Sequence, residues 1–296
     1  MSVKISSIGR FEDNSGSTTT SLELIRKAAM PCIENSAYKK EDIGVLINVS
    51  VYRDNYFCEP AFASFVQNDL GINHDKEDNS EPKTLSFDLL NGAMGFLNAC
   101  QVVDAMADAG RIKAGLIVSG DVIDYEMNEK SDNSGFILSG AAMILGKNGR
   151  NDSGFGPFYF RTFVELQDTY ESFISFKNKR LTMMFRKSPD IENIYLDAIS
   201  RGLEEFLTRE KLRMDDFDWI VPQQISPGFV DALGEFLGIE SSRMVNVARR
   251  DSDLFNASLP SAIGHLTDNG LAKNGDNALI IGVGSGIQVG CTTYRF

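Results

Sequence analysis

The apolar positions along the chain change period repeatedly, and each change marks an element. Ser2 to Ile8 alternates polar and apolar residues, a strand pattern, and Phe11 to Ser17 is a polar, Gly-bearing loop. Thr18-Thr19-Thr20-Ser21 offers an N-cap, with Glu23 close behind, for a helix running to about Asn35. Pro31 inside it predicts a kink or two short pieces. Ile43 to Val51 is nearly continuous in apolar β-formers, the pattern of a strand buried on both faces. Pro60 sits early in a helix that ends at Leu70-Gly71-Ile72, and His74 to Pro82 is a charged loop. Thr84 to Leu90 reads as a strand that passes through a small-residue turn into a helix ending near Ala109-Gly110. That helix is apolar on most faces (Phe96, Leu97, Ala99, Val102, Val103, Ala105 and Met106), so it is expected to be buried. Strands at Ala114 to Ser119 and Gly140 to Leu145 flank a polar loop.

The same order then returns. Ile191 to Leu207 is an amphipathic helix, Trp219 to Gln223 a strand and Phe229 to Leu237 a helix. Strands at Met244 to Val247, Ala278 to Gly282 and Ile287 to Tyr294, with a helix at Ser258 to Leu266, complete it. The helix endings Leu70-Gly71-Ile72 and Leu237-Gly238-Ile239 lie more than half the chain apart. Two copies of one β/α unit imply an internal duplication, with halves at 1–150 and 151–296. Alternating strands and helices imply largely parallel sheets covered by helices. Asp152 to Lys187, rich in Phe and Tyr, does not fit the repeat and reads as strands with a loop.

Composition narrows the function. The net charge of −12 opposes binding to nucleic acid or to anionic membrane. Cys32, Cys58, Cys100 and Cys291 show no metal-ligand spacing, and with only two histidines no metal site is expected. Reduced, mostly buried thiols in a cytoplasmic protein are the expectation. No apolar run reaches membrane-spanning length, and no signal peptide opens the chain.

The turn at Asn91-Gly92-Ala93-Met94 precedes the N-terminus of a buried helix, where unpaired N–H groups and the helix dipole favour an anion. None of the four residues is a nucleophile. Asp88-Leu89-Leu90-Asn91-Gly92-Ala93-Met94-Gly95-Phe96-Leu97-Asn98 resembles the nucleophile segment of ketoacyl-ACP synthase III and its thiolase-fold relatives. Pro60-Ala61-Phe62-Ala63 with Val66-Gln67, Ile112 to Asp121, and Ser139 to Leu145 resemble later segments of that family. So do Val221-Pro222-Gln223-Gln224-Ile225-Ser226, Asn256-Ala257-Ser258-Leu259-Pro260, and Gly282-Val283-Gly284-Ser285-Gly286.

The resemblance implies an α/β thiolase-like fold with two duplicated βαβαβ halves in a layered α-β-α-β-α arrangement. It puts Ala93 where the family has its Cys, Gln223 at its His and Asn256 at its Asn. The family reads Gly before that Asn, and this segment is shortened. Gly284 and Ser285 fall on the backbone that serves an oxyanion. Alanine forms no thioester, and Gln cannot exchange a proton near neutral pH. Ala93 is either natural or an engineered replacement of Cys; Gly92, Met94 and Gln223 also depart from the family pattern, which favours natural divergence. The family holds coenzyme A with Trp and Arg in a long first connection. Here Gly9 to Thr20 has no Trp and one basic residue, Arg10, so no cofactor is expected.

Less specific readings stand beside these. Cys100 and Trp219 read as core, His265 as a structural histidine, and Cys58 as a weak candidate thiol. The acidic run Asp121, Asp124, Glu126, Glu129 and Asp132 reads as a solvated loop. The expected function is that of a catalytically degenerate subunit in fatty-acid or polyketide-type biosynthesis. Its partner would be a homologous ketosynthase with intact Cys, or a second copy, with acyl carrier protein or an acyl thioester as a further partner. The alternatives are an acyltransferase, thioesterase or decarboxylase using other residues, or a non-catalytic acyl or carrier-protein binder. The dimer contact is expected at a central strand over Lys83 to Leu89, whose Leu85, Phe87 and Leu89 are costly to leave in water.

Overall fold

Two sheets carry the fold, and each is built from one half of the chain. The computed structural model describes residues 3–14, 19–73, 83–122, 136–147, 153–177, 180–249 and 253–296. The first sheet contains β1 (Val3–Glu12), β2 (Ile43–Asn48), β3 (Leu85–Asp88), β4 (Ala114–Asp121) and β5 (Ser139–Lys147). Its order is β1-β5-β4-β2-β3. Then come β6 (Gly154–Thr162), a hairpin of β7 (Tyr170–Lys177) and β8 (Arg180–Lys187), and β9 (Trp219–Pro222), β10 (Asn277–Gly284) and β11 (Gln288–Arg295). The second sheet has the order β6-β11-β10-β9. In both sheets the strands run in one direction (β4 with β2, β10 with β9) except for β5 and β11, each antiparallel to both its neighbours. The repeat is therefore one topology used twice, with the β7–β8 hairpin inserted into the second copy.

The helices are α1 (Ser21–Glu34), α2 (Phe62–Leu70), α3 (Gly95–Asp108), α4 (Ile191–Glu210), α5 (Pro227–Leu237) and α6 (Ser258–Asp268). Successive strand residues point to opposite faces, so each buried strand feeds two cores. In β2, Val45 and Ile47 join α3 and α6 in a core between the sheets, while Leu46 joins α1 and α2 on the outer face. In β10, Ile280 points to the same central core and Leu279 and Ile281 point outward to α4 and α5. The result is five layers, α-β-α-β-α, with α3 and α6 in the middle. This is why α3 is apolar almost all round: it has a sheet on each side.

Most expected elements are present, with three corrections. Helix α1 runs through Pro31 as one helix, started by a capping box between Thr20 and Glu23. Strand β1 continues through Phe11 to Glu12, past the expected loop boundary. The strand expected at Met244 to Val247 is reduced to a single bridge between Met244 and Ile220. The boundary expected between residues 150 and 151 lies outside the described residues. Among the described residues no helix is long and apolar enough to cross a membrane. At the edge of the first sheet β3 carries Leu85, 53% exposed, and Leu90 just beyond it is 57% exposed.

Candidate active site

The site is assembled from the ends of parallel strands, beginning with Asp88 at the end of β3. Its carboxylate accepts the N–H groups of Phe62 (2.8 Å) and Ala63 (2.9 Å) and the amide of Asn48 (3.1 Å). It also pairs with the buried guanidinium of Arg53 at 3.0 Å. The residue before α2, Ala61, has no capping side chain, so a carboxylate from another strand satisfies the first turn of that helix. One buried anion thus ties β2, α2 and β3 together and fixes where β3 delivers the turn that follows.

That turn is held closely. Gly92 has φ +52°, the left-handed region, and a Cβ there would lie 2.8 Å from Ser285 Oγ. The Asn91 amide donates to Asn98 Oδ1 (2.6 Å) and Gln288 Oε1 (2.8 Å). A Cβ at Gly95 would be 3.0 Å from Val49 Cβ and 3.4 Å from Asn256 Oδ1, so the first residue of α3 must be small. Ala93 stands just before that helix start, buried, and a Cβ at Gly284 would be 3.5 Å from its nitrogen.

Gln223 and Asn256 approach the same helix start from the second half. Gln223 follows β9 and is 1% exposed; its Nε2 donates to the Phe255 carbonyl at 2.8 Å. Asn256 lies in a short 3-10 turn, Phe255–Ala257. Its Nδ2 donates to the Val49 carbonyl and to Asp121 Oδ2, both at 3.0 Å. All these partners are acceptors, which fixes which end of each amide faces them. The other ends, Gln223 Oε1 and Asn256 Oδ1, are buried and receive no donor among the described residues.

In front of Ala93 is a cavity of about 320 Å³, at the small end of ligand sites, walled in part by Ala93, Phe255, Gly284 and Ser285. Gln223 and Asn256 are not among its lining residues. The structure therefore brings Ala93, Gly284 and Ser285 to one wall and leaves the two amides outside the lining, Asn256 close to Gly95 and Gln223 on the Phe255 carbonyl. The apolar side of the cavity is closed by rings. Phe255 packs on Phe136 (centroids 4.8 Å apart) and Tyr52 (5.3 Å), and Phe185 of β8 reaches Tyr52 at 5.6 Å. Phe255 has φ +47°, a left-handed backbone strained for an aromatic residue, at the position where the family pattern reads Gly.

The polar wall was not singled out from the sequence. Asp253 lines the cavity with Tyr170, Tyr195 and Lys187. Burial pushes the Asp253 carboxyl up to about 7, against the opposing pull of the Phe255 N–H and Lys187. Asp253 sits in the charged run Arg249 to Asp253, which reads as a surface loop, and no local pattern marks it.

Asp121 corrects an expectation. It is not solvated but ends β4 in the interior, accepting the N–H groups of Val51 (2.7 Å) and Tyr52 (2.9 Å) besides the Asn256 amide. Burial still raises its carboxyl to about 6. The rest of that acidic run lies outside the described residues. Cys100 is core, its thiol pushed far up by burial, whereas Cys58 is exposed. Trp219 is only partly buried, with its indole N–H on Asp276 at 3.0 Å. His265, inside α6, stands beside the Asn269 amide at 3.1 Å. Among the described residues no group of three or more His, Cys, Asp or Glu side chains is placed to hold a metal ion.

Comparison with known proteins adds the following. The sequence profile of 3-oxoacyl-acyl-carrier-protein (ACP) synthase III matches residues 87–162, and that of its C-terminal part matches residues 207–296. A β-ketoacyl-acyl-carrier-protein synthase III of Rickettsia bellii is 22% identical over 288 residues, covering 95% of this chain and 86% of the relative. The corresponding protein of Blochmanniella pennsylvanica is 25% identical over 296 residues, covering 94% and 86%. Among solved structures, cerulenin-bound OleA of Xanthomonas campestris superposes with a TM-score of 0.85 at 17% identity, covering 100% of this chain and 97% of that one. A variant of the same OleA with bound lauric acid and lauroyl-CoA gives a TM-score of 0.85 at 17% identity, covering 100% and 99%. At that identity the likeness shows the fold, which is the thiolase fold.

Proposed function

The chain belongs to the 3-oxoacyl-acyl-carrier-protein synthase III family, and from the contents of its cavity we propose that it is a subunit that does not itself condense acyl groups. The observation that carries this is the wall at the start of α3. Ala93 stands at the family's Cys position and offers a methyl group, so no thioester forms there. Gln223 and Asn256 stand at the His and Asn positions, but their N–H donors are already bonded to Phe255, Val49 and Asp121. Donors committed to the scaffold cannot stabilise an enolate oxygen. What persists is the frame: Asp88, the Gly92 and Gly95 approaches, and the main chain at Gly284 and Ser285 in the oxyanion position.

On this reading the chain works in fatty-acid or polyketide-type biosynthesis, in the cytoplasm, where its free cysteines stay reduced. Its halves divide at about residue 150, each contributing one sheet. The first connection is short and has no Trp, and its one basic residue, Arg10, is ion-paired with Asp268. Its partner is a homologous chain that carries the Cys, His and Asn, docked through β3. That strand ends the first sheet with Leu85 and Leu90 exposed, an edge suited to continuation into a second subunit.

Light scattering and intact-mass analysis test this reading together. With a homologue that has an intact Cys, the chain is expected to run as a dimer. Leu85→Asp with Leu90→Asp is expected to weaken that dimer about 1,000-fold, since each leucine contributes about 2 kcal/mol of burial and about 1.4 kcal/mol is tenfold. Incubation with acyl-carrier thioester is expected to leave the mass of this chain unchanged. A wild-type chain that stays monomeric beside such homologues, or that takes up one acyl group per chain, overturns the proposal.

A further inference from the structure

The cavity in front of Ala93 contains an acid for which condensation has no use. Asp253 is held from two sides. One carboxylate oxygen accepts the Phe255 N–H at 2.7 Å, and its carbonyl accepts the Ile137 N–H at 3.0 Å. This fixes the carboxyl in a wall shared with Ala93, Gly284 and Ser285. The titratable groups around it are Lys187 from β8, Asp121 from β4, Tyr52, Tyr170 from β7, and Tyr195 and Glu192 from α4. Lys187 is the cation among them, and it stands at the exposed end of its strand.

Two further observations point the same way. Outside the cavity lining, the buried oxygens Gln223 Oε1 and Asn256 Oδ1 have no donor among the described residues. Such acceptors call for O–H or N–H donors, and water is the smallest molecule that supplies them. The family's nucleophile position carries a methyl group, so no thioester can form at Ala93. Phe136 and Phe255 line the apolar side with Tyr52 and Phe185 packed behind them, and the cavity is only about 320 Å³, which limits the acyl group to a short one.

We propose that this cavity hydrolyses short acyl thioesters, with Asp253 as general base for a water molecule in front of Ala93. The substrate class rests on the family reading above; the base and the reaction do not. The Asp253 carboxylate takes a proton from water as the water oxygen bonds to the acyl carbon, and the carbonyl electron pair moves onto the carbonyl oxygen. That oxygen lies on the side of the Ala93 and Gly284 main chain. Its electron pair then returns, the C–S bond breaks, and the thiolate takes the proton back from Asp253. The products are a carboxylic acid and a thiol, and Asp253 is again ionised. A desolvated carboxyl that ionises near neutral pH is matched to that exchange.

The test uses the purified full-length chain with S-acetylpantetheine and S-lauroylpantetheine, following thiol release between pH 5 and pH 9. Release from the acetyl ester is expected to rise with pH through about 7 and then level off, as the carboxylate form accumulates. Asp253→Asn is expected to lower the rate about 100-fold and to remove the pH step, while Asp253→Glu keeps part of both. The lauroyl ester is expected to react more slowly. No turnover above buffer by the wild type overturns the proposal, as does an Asp253→Asn rate equal to wild type. So does a wild-type profile without the step near 7, which needs no variant to fold. All the groups invoked come from one chain, so loss of the dimer leaves this test untouched. An acylated chain would defeat the subunit reading instead.

Discussion

The two halves share a topology but finish their outer edges differently. In the first half β3 pairs with β2 over four residues, from Val45 with Leu85 to Asn48 with Asp88, and its other side carries no strand among the described residues. In the second half the matching segment after α5 touches β9 only around Ile220, whose N–H reaches Arg243 and whose carbonyl accepts Val245. Beyond that bridge the side chain of Gln224 takes over. Its Nε2 donates to Pro222 (2.8 Å) and Val245 (2.9 Å), and its Oε1 accepts from Val247 (2.8 Å) and Ala248 (3.2 Å). A buried amide thus supplies the hydrogen bonds that a strand ladder supplies in the first half. The second edge is closed within the chain, whereas the first is left as a strand with exposed leucines. On the proposed reading, that open edge is the one suited to a second subunit.

The largest effect should come from removing that closure. Gln224→Ala deletes four hydrogen bonds and leaves buried peptide groups unpaired, each at about 1–3 kcal/mol. Urea unfolding is expected to show a loss of at least about 3 kcal/mol. Gln223→Ala, its neighbour, gives up one side-chain bond and is expected to lose about 1 kcal/mol. Equal losses from the two would show that the segment after α5 is held by packing alone, and the contrast between the edges would fall.

The two halves also each contribute one desolvated acid, Asp121, buried, and Asp253, partly buried in the cavity wall. Both carboxyls are raised by burial, to about 6 and about 7, from an ordinary value of 3.8. A raised acid keeps its proton in the folded chain after the unfolded chain has lost it. Its stabilising contribution is full below the unfolded value and fades as pH climbs through the folded one. Stability is therefore expected to fall from pH 5 to about pH 7 and to level off above it. Carboxylates held low, such as Glu23, Asp42, Glu165 and Glu205, are ionised in both states across that window and contribute no slope. Urea midpoints measured across this range should decline, and Asp253→Asn should flatten the decline. A flat wild-type profile would mean that neither acid is desolvated as described.

Much of this was legible in the sequence. Strand β2 declares itself by an unbroken apolar run, α3 by apolar residues on every face, and the turn before it by Gly92 and Gly95. These are local patterns with local causes. Asp253 was not legible, because its burial comes from β8, Phe136 and α4, all distant in sequence. Nor was the direction of the Asn256 amide, which is set by Asp121 across 135 positions. Met244 to Val247 has the composition of a strand, but the partner that holds it is a glutamine side chain, which no period reveals.

The smallest predicted effect concerns Phe255, where the second half has placed an aromatic ring on a backbone suited to glycine. At an ordinary helical or extended position, alanine is more stable than glycine by about 0.5–1 kcal/mol, because glycine loses more freedom on folding. At φ +47° the order should reverse, since any Cβ is strained there and glycine is not. Both Phe255→Ala and Phe255→Gly forfeit the packing on Tyr52 and Phe136, so both are expected to be less stable than wild type. Taking the difference between the two variants cancels that common loss and isolates the backbone. Phe255→Gly is expected to be more stable than Phe255→Ala by about 1 kcal/mol in urea unfolding. If alanine is instead the more stable, the turn before Asn256 relaxes without cost, and the ring is not held against strain. The closure of the cavity's apolar side would then be adjustable, and the acetyl and lauroyl esters should react at similar rates.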